Sequence, residues 1–229
     1  VTDPVDKTRI GGELSGQIQR GGQGAPKTIA ASESSSRELQ GQIEDYLSGI
    51  AGETAQDRTG TIAKAADEGA NLLVLPELCN SGYVFRSREE ASELAEAVPE
   101  GPTTEAWMDA AAKHDLYIVA GICERDGTSL YNSSVLIGPE GYIGTFRKVH
   151  LWNEENLYFE PGNLGFPVFK TPIGRIGTFI CYDGWFPESY RLCAIQGADI
   201  ICIPTNWVPI PGQDPKREAM ANILVMGSA

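Results

Sequence analysis

The sequence is poor in basic residues, and this shortage limits the partners that the chain can have. Its 229 residues include 18 lysines and arginines against 31 aspartates and glutamates, so the formal net charge is −13. A surface of this sign repels nucleic acids and anionic membranes, and we expect neither as a partner. An acidic surface that maintains solubility is enough to account for the charge.

Long apolar runs, paired cysteines and histidines are also scarce. No apolar stretch approaches the ~18 residues that a membrane span requires, and the sequence has no secretory signal core. Two histidines are too few to favour a zinc site, and we expect no cofactor. An odd number of cysteines without a Cys-x-x-Cys pair favours free thiols in a reducing, cytoplasmic setting. These cysteines are Cys79, Cys123, Cys181, Cys193 and Cys202.

Residues 1–50 differ in composition from the rest of the chain. They are rich in Gly, Ser and Gln and have few large apolar side chains, so they bury too little surface to offset the entropy of ordering. We expect a flexible segment to about residue 37 and a short helix over 38–47. Residues 51–229 are expected to form one catalytic domain. Its last helix, from about residue 215, is still apolar where the sequence stops, which predicts a truncated C-terminus.

Helical and strand patterns alternate from about residue 54 onwards. Short, wholly apolar runs such as 71–76 are typical of strands covered on both faces. The sequence Gly-Pro-Glu-Gly at 138–141 predicts a hairpin turn, and Thr103 and Thr104 predict the start of a helix. The order of elements predicts a layered α/β domain. Helices are predicted over 55–69, 103–114 and 187–196, and strands over 71–76, 116–123, 129–138, 141–150, 167–171, 174–181 and 199–204.

Three polar side chains stand where predicted strands end. Glu77 directly follows the run 72–76, Lys148 closes the hairpin, and Cys181 follows the apolar run 176–180. Ionisable groups at the ends of buried strands lie at sheet rims, where clefts form. Cys181 also precedes a predicted helix, whose first N–H groups favour a thiolate, so we expect a thiol with a depressed pKa.

The chemistry of these three groups is complementary. A cysteine sulfur attacks a carbonyl or nitrile carbon and forms a covalent intermediate. A carboxylate accepts the thiol proton and later donates it to departing ammonia. An ammonium group stabilises the oxyanion of the tetrahedral intermediate. Glu155, seven residues after Lys148, is a second carboxylate that either orients the lysine or activates water.

Three motifs carry a resemblance to a known family. They are Leu75-Pro-Glu77 with Gly82-Tyr83, Arg147-Lys-Val-His-Leu151 with Phe159-Glu-Pro-Gly162, and Cys181-Tyr-Asp with Phe186-Pro-Glu188. In this order they resemble the nitrilase (carbon–nitrogen hydrolase) superfamily over residues 52–229. The resemblance implies that Glu77 is the general base, Lys148 the oxyanion lysine, Cys181 the nucleophile and Glu155 the second glutamate.

The resemblance also implies a fold and an assembly. Members form a four-layer α-β-β-α sandwich that assembles into homodimers and larger homo-oligomers. An early strand of the family is weakly matched over about 28–50, and later strands are missing. We therefore expect a sandwich that is incomplete at both ends, and a truncated, non-catalytic fragment is one alternative interpretation.

The residues after Cys181 help to separate the branches of the family. True nitrilases often follow the cysteine with Trp-Glu, whereas Cys181-Tyr-Asp is more similar to amidase-like and N-carbamoyl amine hydrolase branches. We therefore expect hydrolysis of a small linear amide, with a carbamoyl amine or a nitrile as alternative substrates. Residues expected to contact the substrate are Tyr83, Trp185, Asn206 and Trp207. His150 is expected to have a structural hydrogen-bonding role.

Overall fold

The computed structural model describes residues 28–29 and 55–206. The predictions for residues 1–27, the helix over 38–47, Trp207 and the last helix lie outside the described residues. The helices are α1 (Ala55–Asp67), α2 (Arg88–Leu94), α3 (Pro102–His114), α4 (Glu155–Tyr158) and α5 (Pro187–Ile195), with a 3₁₀ helix over Cys181–Trp185. The strands are β1 (Thr28–Ile29), β2 (Leu72–Val74), β3 (Tyr117–Asp126), β4 (Ser129–Gly138), β5 (Gly141–Arg147), β6 (Val168–Thr171), β7 (Gly174–Thr178) and β8 (Ile200–Cys202).

The strands form two sheets. The larger has the order β1-β2-β3-β4-β5, with β1, β2 and β3 parallel to one another and β3, β4 and β5 antiparallel. The smaller has the order β6-β7-β8, in which β6 is antiparallel and β8 parallel to β7. The predicted hairpin is confirmed, because Gly138 pairs with Gly141 at its turn. A mixed α/β fold is therefore confirmed.

Each sheet is covered by helices or by the other sheet. On one face of the larger sheet, Ile62 of α1 and Trp107 of α3 share a buried cluster with Ile118. On its other face, Val119 and Leu136 share a cluster with Ile176 and Cys202 of the smaller sheet. The opposite face of the smaller sheet packs against α5, where Cys193 lies over Gly177. Each buried large apolar side chain contributes about 1.5–3 kcal/mol to this packing.

Two predicted strands end earlier than expected, so that Lys148 and Cys181 lie just beyond the regular strands. The strand predicted over 141–150 ends at Arg147, and the one predicted over 174–181 ends at Thr178. Single backbone bonds continue the pairing past both ends, since Lys148 N donates to Asn132 O at 2.8 Å and Phe179 N donates to Cys202 O at 3.3 Å. The Lys148 carbonyl accepts from Gly162 N at 2.8 Å, and Cys181 N donates to Pro204 O at 3.1 Å.

The start of α3 differs from the prediction. The helix begins at Pro102 with Gly101 as its N-cap, one residue earlier than expected, and Gly101 has no side chain with which to cap it. Thr103 instead bonds the Glu96 carboxylate through its amide (2.8 Å) and its hydroxyl (2.6 Å). Proline is favoured in the first helical turn because its missing N–H has no partner there. Helix α2, which we did not predict, begins after Ser87, whose side chain accepts from Glu90 N.

Candidate active site

Glu77, Lys148 and Cys181 are brought together between the two sheets. Glu77 is fully buried just beyond β2, Lys148 is 1% exposed just beyond β5, and Cys181 is 9% exposed at the start of the 3₁₀ helix. The Cys181 thiol adjoins the Glu77 carboxylate, whose negative charge helps to raise the pKa of the thiol. The Lys148 ammonium lies 2.6 Å from Oε1 of Glu77. Three residues up to 104 positions apart in the sequence thus share one buried site.

Glu77 is held in place by close packing against β3. The Gly121 amide donates to Pro76 O and the Gly121 carbonyl accepts from Cys79 N, both at 3.1 Å. A Cβ on Gly121 would lie 2.5 Å from the Glu77 Cα and from Pro76 O. Only glycine permits this approach, because it has no Cβ. Cys79 is buried and donates its thiol to Gly121 O at 3.2 Å.

The turn that carries Cys181 is tied to the loop that carries Lys148. Cys181 has a positive φ of 43°, a conformation that side chains disfavour and that tight turns impose. Asp183, fully buried in the same turn, accepts from Ile180 N at 3.2 Å and from His150 N at 2.9 Å. The His150 ring nitrogen Nδ1 also lies 2.7 Å from Asp183 Oδ1. The hydrogen bond expected of His150 is therefore present, and Asp183 is its partner.

A second carboxylate completes the surroundings of the lysine. Glu155, buried at the start of α4, lies 2.9 Å (Oε1) and 2.8 Å (Oε2) from the Lys148 ammonium. Its Oε2 also accepts from Trp152 N at 2.5 Å. The other oxygen of Glu77, Oε2, accepts from the backbone amide of Asn206 at 3.0 Å. One ammonium group thus lies between two ordered carboxylates.

Asn132 is a site residue that the sequence reasoning missed. It is fully buried in β4, and its side-chain nitrogen donates to Glu77 and to Glu155, both at 2.8 Å. A detectable signal was present in Tyr131-Asn-Ser-Ser134, where polar residues interrupt an otherwise apolar buried strand. Buried amide groups require hydrogen-bond partners, so an asparagine there indicates a polar site.

The charges of the site raise two pKa values. Burial alone would lower the pKa of Lys148, but the charges of Glu77 and Glu155 outweigh it and raise the pKa above its ordinary value. Burial, followed by the negative charge of Glu77, raises the pKa of the Cys181 thiol. The expected thiolate with a depressed pKa is therefore wrong. Burial and the adjacent carboxylate dominate over the N–H groups of a short 3₁₀ turn, so the resting thiol keeps its proton.

The four expected substrate contacts have different surroundings. Tyr83 is half-buried, and burial followed by the charges of Glu155 and Glu77 raises the pKa of its hydroxyl. Trp185 is half-buried and packs near Trp152 (5.9 Å between ring centroids) and Tyr182 (5.7 Å). The backbone amide of Asn206 bonds Glu77. Trp207 lies outside the described residues.

The motif Phe159-Glu-Pro-Gly162 packs against β4 and the end of β5, next to Lys148. The Glu160 carboxylate accepts from Leu130 N at 2.8 Å, and Gly162 N donates to the Lys148 carbonyl. A Cβ on Gly162 would overlap the Arg147 carbonyl oxygen, so glycine is required there. Arg147 itself is buried between Glu124, at 2.5 Å, and Asp126, at 2.9 Å. This motif is explained by the support it gives to Lys148.

Metal-binding clusters and membrane-spanning helices are absent from the part of the chain that the structure describes. Across residues 28–29 and 55–206, the His, Cys, Asp and Glu side chains form no group of three that could hold a metal ion. Over the same residues, every helix is too short or too polar to cross a bilayer.

A sequence model of the carbon–nitrogen hydrolase family matches residues 28–226, which is most of the chain. The chain belongs to the carbon–nitrogen hydrolase family. The match begins at residue 28, inside the segment that composition set apart as polar, and β1 lies at Thr28–Ile29. The division of the chain at residue 50 stays a prediction.

Named members of the carbon–nitrogen hydrolase family are similar to the chain over about two thirds of its length. A nitrilase from Pyrococcus abyssi is 51% identical over 64% of this chain and 56% of its own. The N-carbamoylputrescine amidase of Arabidopsis thaliana is 35% identical over 69% of this chain and 54% of its own. The solved structure of Saccharomyces cerevisiae Nit3, of branch 10 of the nitrilase superfamily, is 31% identical, with a TM-score of 0.60 over 67% of this chain and 58% of Nit3. The chain spans about half the length of the curated relatives that it matches.

Proposed function

We propose that the chain hydrolyses a small linear amide to a carboxylate and ammonia through a thioester at Cys181. The observation that carries the proposal is the shared contact of three groups. The Cys181 thiol adjoins Glu77, whose charge acts on it, and the Glu77 carboxylate contacts the Lys148 ammonium at 2.6 Å. A nucleophile, a proton acceptor and a fixed cation are the parts that acyl transfer requires.

The first half of the reaction forms the thioester. The Cys181 sulfur bonds to the amide carbon while its proton passes to Glu77, so the thiolate exists only as the attack takes place. The carbonyl oxygen becomes an oxyanion beside Lys148, which stays protonated. When the tetrahedral intermediate collapses, the C–N bond breaks, and Glu77 returns its proton to the leaving nitrogen as ammonia departs.

The second half returns the enzyme to its starting state. Glu77 accepts a proton from a water molecule, whose oxygen bonds to the thioester carbon and again produces an oxyanion at Lys148. Collapse breaks the C–S bond and releases the acid, which loses its proton to the medium as the carboxylate. The proton on Glu77 returns to the Cys181 sulfur, so no net proton remains on the enzyme.

The two carboxylates are given different roles. Glu77 contacts the thiol and acts as the base, whereas Glu155 holds the lysine. Glu155 accepts from Trp152 N and from Asn132 in addition to Lys148, so its lone pairs are occupied.

A nitrile is the second candidate substrate, and the 51% identity to a nitrilase favours it. The Cys181 sulfur would add to the nitrile carbon, and water would then convert the thioimidate to a thioester with loss of ammonia. The 35% identity to an N-carbamoylputrescine amidase favours carbamoyl amines in the same way. Tyr83, Trp185, Asn206 and Trp207 are proposed to contact whichever substrate binds.

The fold and the assembly of the whole protein are part of the proposal. The packing of α1 and α3, the larger sheet, the smaller sheet and α5 in that order supports a four-layer α-β-β-α sandwich. In the family, such sandwiches associate as homodimers or larger homo-oligomers, and we propose the same here.

Ammonia release tests the proposed activity. The wild-type chain and Cys181→Ala are incubated with short aliphatic amides, N-carbamoyl amines and aliphatic nitriles. We expect release from wild type, highest with amides, and a loss of about 1000-fold or more in Cys181→Ala, as for other catalytic nucleophiles. Cys193→Ala, which removes a buried core thiol, is the matched control and is expected to keep its activity. Equal release from wild type and Cys181→Ala would contradict the proposal and favour a non-catalytic chain.

A further inference from the structure

Asn132 bonds both carboxylates of the site through a single nitrogen. Its Nδ2 lies 2.8 Å from Oε1 of Glu77 and 2.8 Å from Oε1 of Glu155. The same two oxygens contact the Lys148 ammonium, at 2.6 and 2.9 Å. The amide and the ammonium therefore bridge the same pair of oxygen atoms, and the four polar atoms form a closed ring.

We propose that Asn132 is a positioning residue that holds Glu77 and Glu155 together on Lys148 and directs Glu77 toward the Cys181 thiol. The inference rests on the proposed function, in which Glu77 accepts the thiol proton. Strand β4 would then contribute to the reaction as well as to the sheet.

The charge balance of the site explains why a neutral donor is needed. Two buried carboxylates share one ammonium, which leaves an excess negative charge where water does not screen it. The two negative charges repel each other. Burial raises the pKa of Glu155, and the charge of Glu77 adds to the increase. An amide donates two N–H groups to the carboxylates and adds no charge of its own.

The bonding of Glu77 shows what the amide achieves. Each carboxylate oxygen accepts about two hydrogen bonds. Oε1 of Glu77 takes Asn132 and Lys148, and Oε2 takes the Asn206 amide, so one lone pair is left, on Oε2. The adjoining thiol of Cys181 is the donor that we assign to this lone pair. Asn132 and Lys148 therefore occupy Oε1 of Glu77, and Oε2 keeps a lone pair for proton transfer.

The backbone of Asn132 supports the same role. Its carbonyl accepts from Lys148 N at 2.8 Å, so the residue positions the lysine by its main chain and the two carboxylates by its side chain. On β3, Cys123 is its partner in the sheet. A residue at the middle of the central pair of strands is held rigidly by its neighbours, which suits a positioning role.

Alkylation of Cys181 by iodoacetamide tests the inference without depending on hydrolysis. The rate is measured from pH 6 to 10 by mass spectrometry of the Cys181 peptide in wild type, Asn132→Asp, Asn132→Ser and Ser134→Ala. Glu77, Lys148, Glu155 and Tyr83 are the ionisable groups that act on this thiol or adjoin it, with the His150–Asp183 pair in the adjacent turn. Ser134 is the matched control, since it is fully buried two residues further along β4 and bonds Thr178 at 3.1 Å.

Asn132→Asp replaces two donors with a third carboxylate, which raises the pKa of the Cys181 thiol further, so labelling at pH 8 is expected to be about tenfold slower. Asn132→Ser keeps one donor, and an intermediate shift of about threefold is expected. Ser134→Ala is expected to label at the wild-type rate.

The direction of the change separates positioning from mere loosening of the fold. A variant that only loosens the core would expose its thiols and label Cys181, Cys193 and Cys202 faster, which would overturn the inference. Wild-type profiles in both Asn132 variants would also overturn it. If Asn132→Asp does not fold, Asn132→Ser decides. If the wild-type chain releases no ammonia but the Asn132 variants still label more slowly than wild type, the role of Asn132 is supported and the proposed function alone is rejected.

Discussion

At the scale of single residues, the site depends on one buried cation. Lys148 is 1% exposed, and both of its carboxylate partners are buried. Its raised pKa follows from the charges of Glu77 and Glu155, which exceed the opposing effect of burial. The lysine therefore stays protonated at neutral pH and acts as a fixed charge rather than as an acid or a base.

Replacing this lysine is expected to cost both stability and activity. Lys148→Met leaves two buried carboxylates without their cation, and loss of one partner of a buried ion pair typically costs about 3–5 kcal/mol. Urea unfolding at pH 7 measures the loss. Lys170→Met, on an exposed position of β6, is the control and is expected to change the unfolding free energy by less than about 0.5 kcal/mol. Equal losses in the two variants would contradict this account of Lys148.

The residue types of the site could be predicted, but their ionisation could not. Glu77, Lys148 and Cys181 stand out because each follows an apolar run. The pKa of Cys181 depends instead on burial and on a carboxylate 104 positions away, so reasoning from the adjacent helix predicted the wrong direction. Asn132 was missed because its role depends on partners from two other segments.

At the scale of elements, the approach of β3 to the end of β2 determines where Glu77 lies. Gly121 of β3 bonds the backbone on both sides of Glu77, at Pro76 and Cys79. Its missing side chain is what allows the two segments to touch, since a Cβ would lie 2.5 Å from the Glu77 Cα.

A methyl group at this contact is expected to displace Glu77, the proposed base. Gly121→Ala forces the Glu77 backbone away from β3, and we expect at least a tenfold loss of kcat for amide hydrolysis, because small misplacements of catalytic groups are costly. Gly60→Ala, in α1, is the control: a Cβ added there would have no neighbouring atom within 4 Å. It is expected to keep kcat and to gain up to about 1 kcal/mol of stability, since alanine favours helices. Unchanged kcat in Gly121→Ala would contradict the role of this contact.

The central elements were predictable because their signals are local. The strand over residues 129–138 was predicted with its observed bounds, since apolar residues run to a hairpin turn. Strand ends near Lys148 and Cys181 were misplaced, because the chain turns there onto partners such as Gly162, which bonds the Lys148 carbonyl, and Asp183, which bonds His150. Helix α2 was missed because its seven residues bury only Ala91.

At the scale of the whole molecule, buried thiols make the folded state less stable as the pH becomes alkaline. Burial raises the pKa of Cys193 to about 11 and that of Cys123 and Cys202 to about 12. In an unfolded chain the thiols lose their protons near pH 8.5, so above this pH the folded state binds more protons than the unfolded state. The stability contributed by these thiols is complete below about pH 8.5 and is lost as the pH rises toward 11–12.

Unfolding measured between pH 8 and 10.5 tests this dependence. The free energy of unfolding is expected to fall with pH, by up to about 1.4 kcal/mol per pH unit for each thiol that only the folded state keeps protonated. Cys202→Ala removes one such group. The variant is expected to be less stable than wild type at pH 8, but its free energy of unfolding falls less steeply with pH. Identical slopes in wild type and Cys202→Ala would contradict the assignment.

The sequence by itself determined the family, the mixed α/β class and the residues at the ends of its central strands, because apolar runs, turns and short motifs are written in contiguous residues. Only the tertiary structure decided how those residues act together. The bridge from Asn132 to two glutamates, the link from Asp183 to His150, and the protonated thiol of Cys181 all arise between distant segments. Charge, burial and hydrogen-bond partners are properties of the packed chain, and no local pattern contains them.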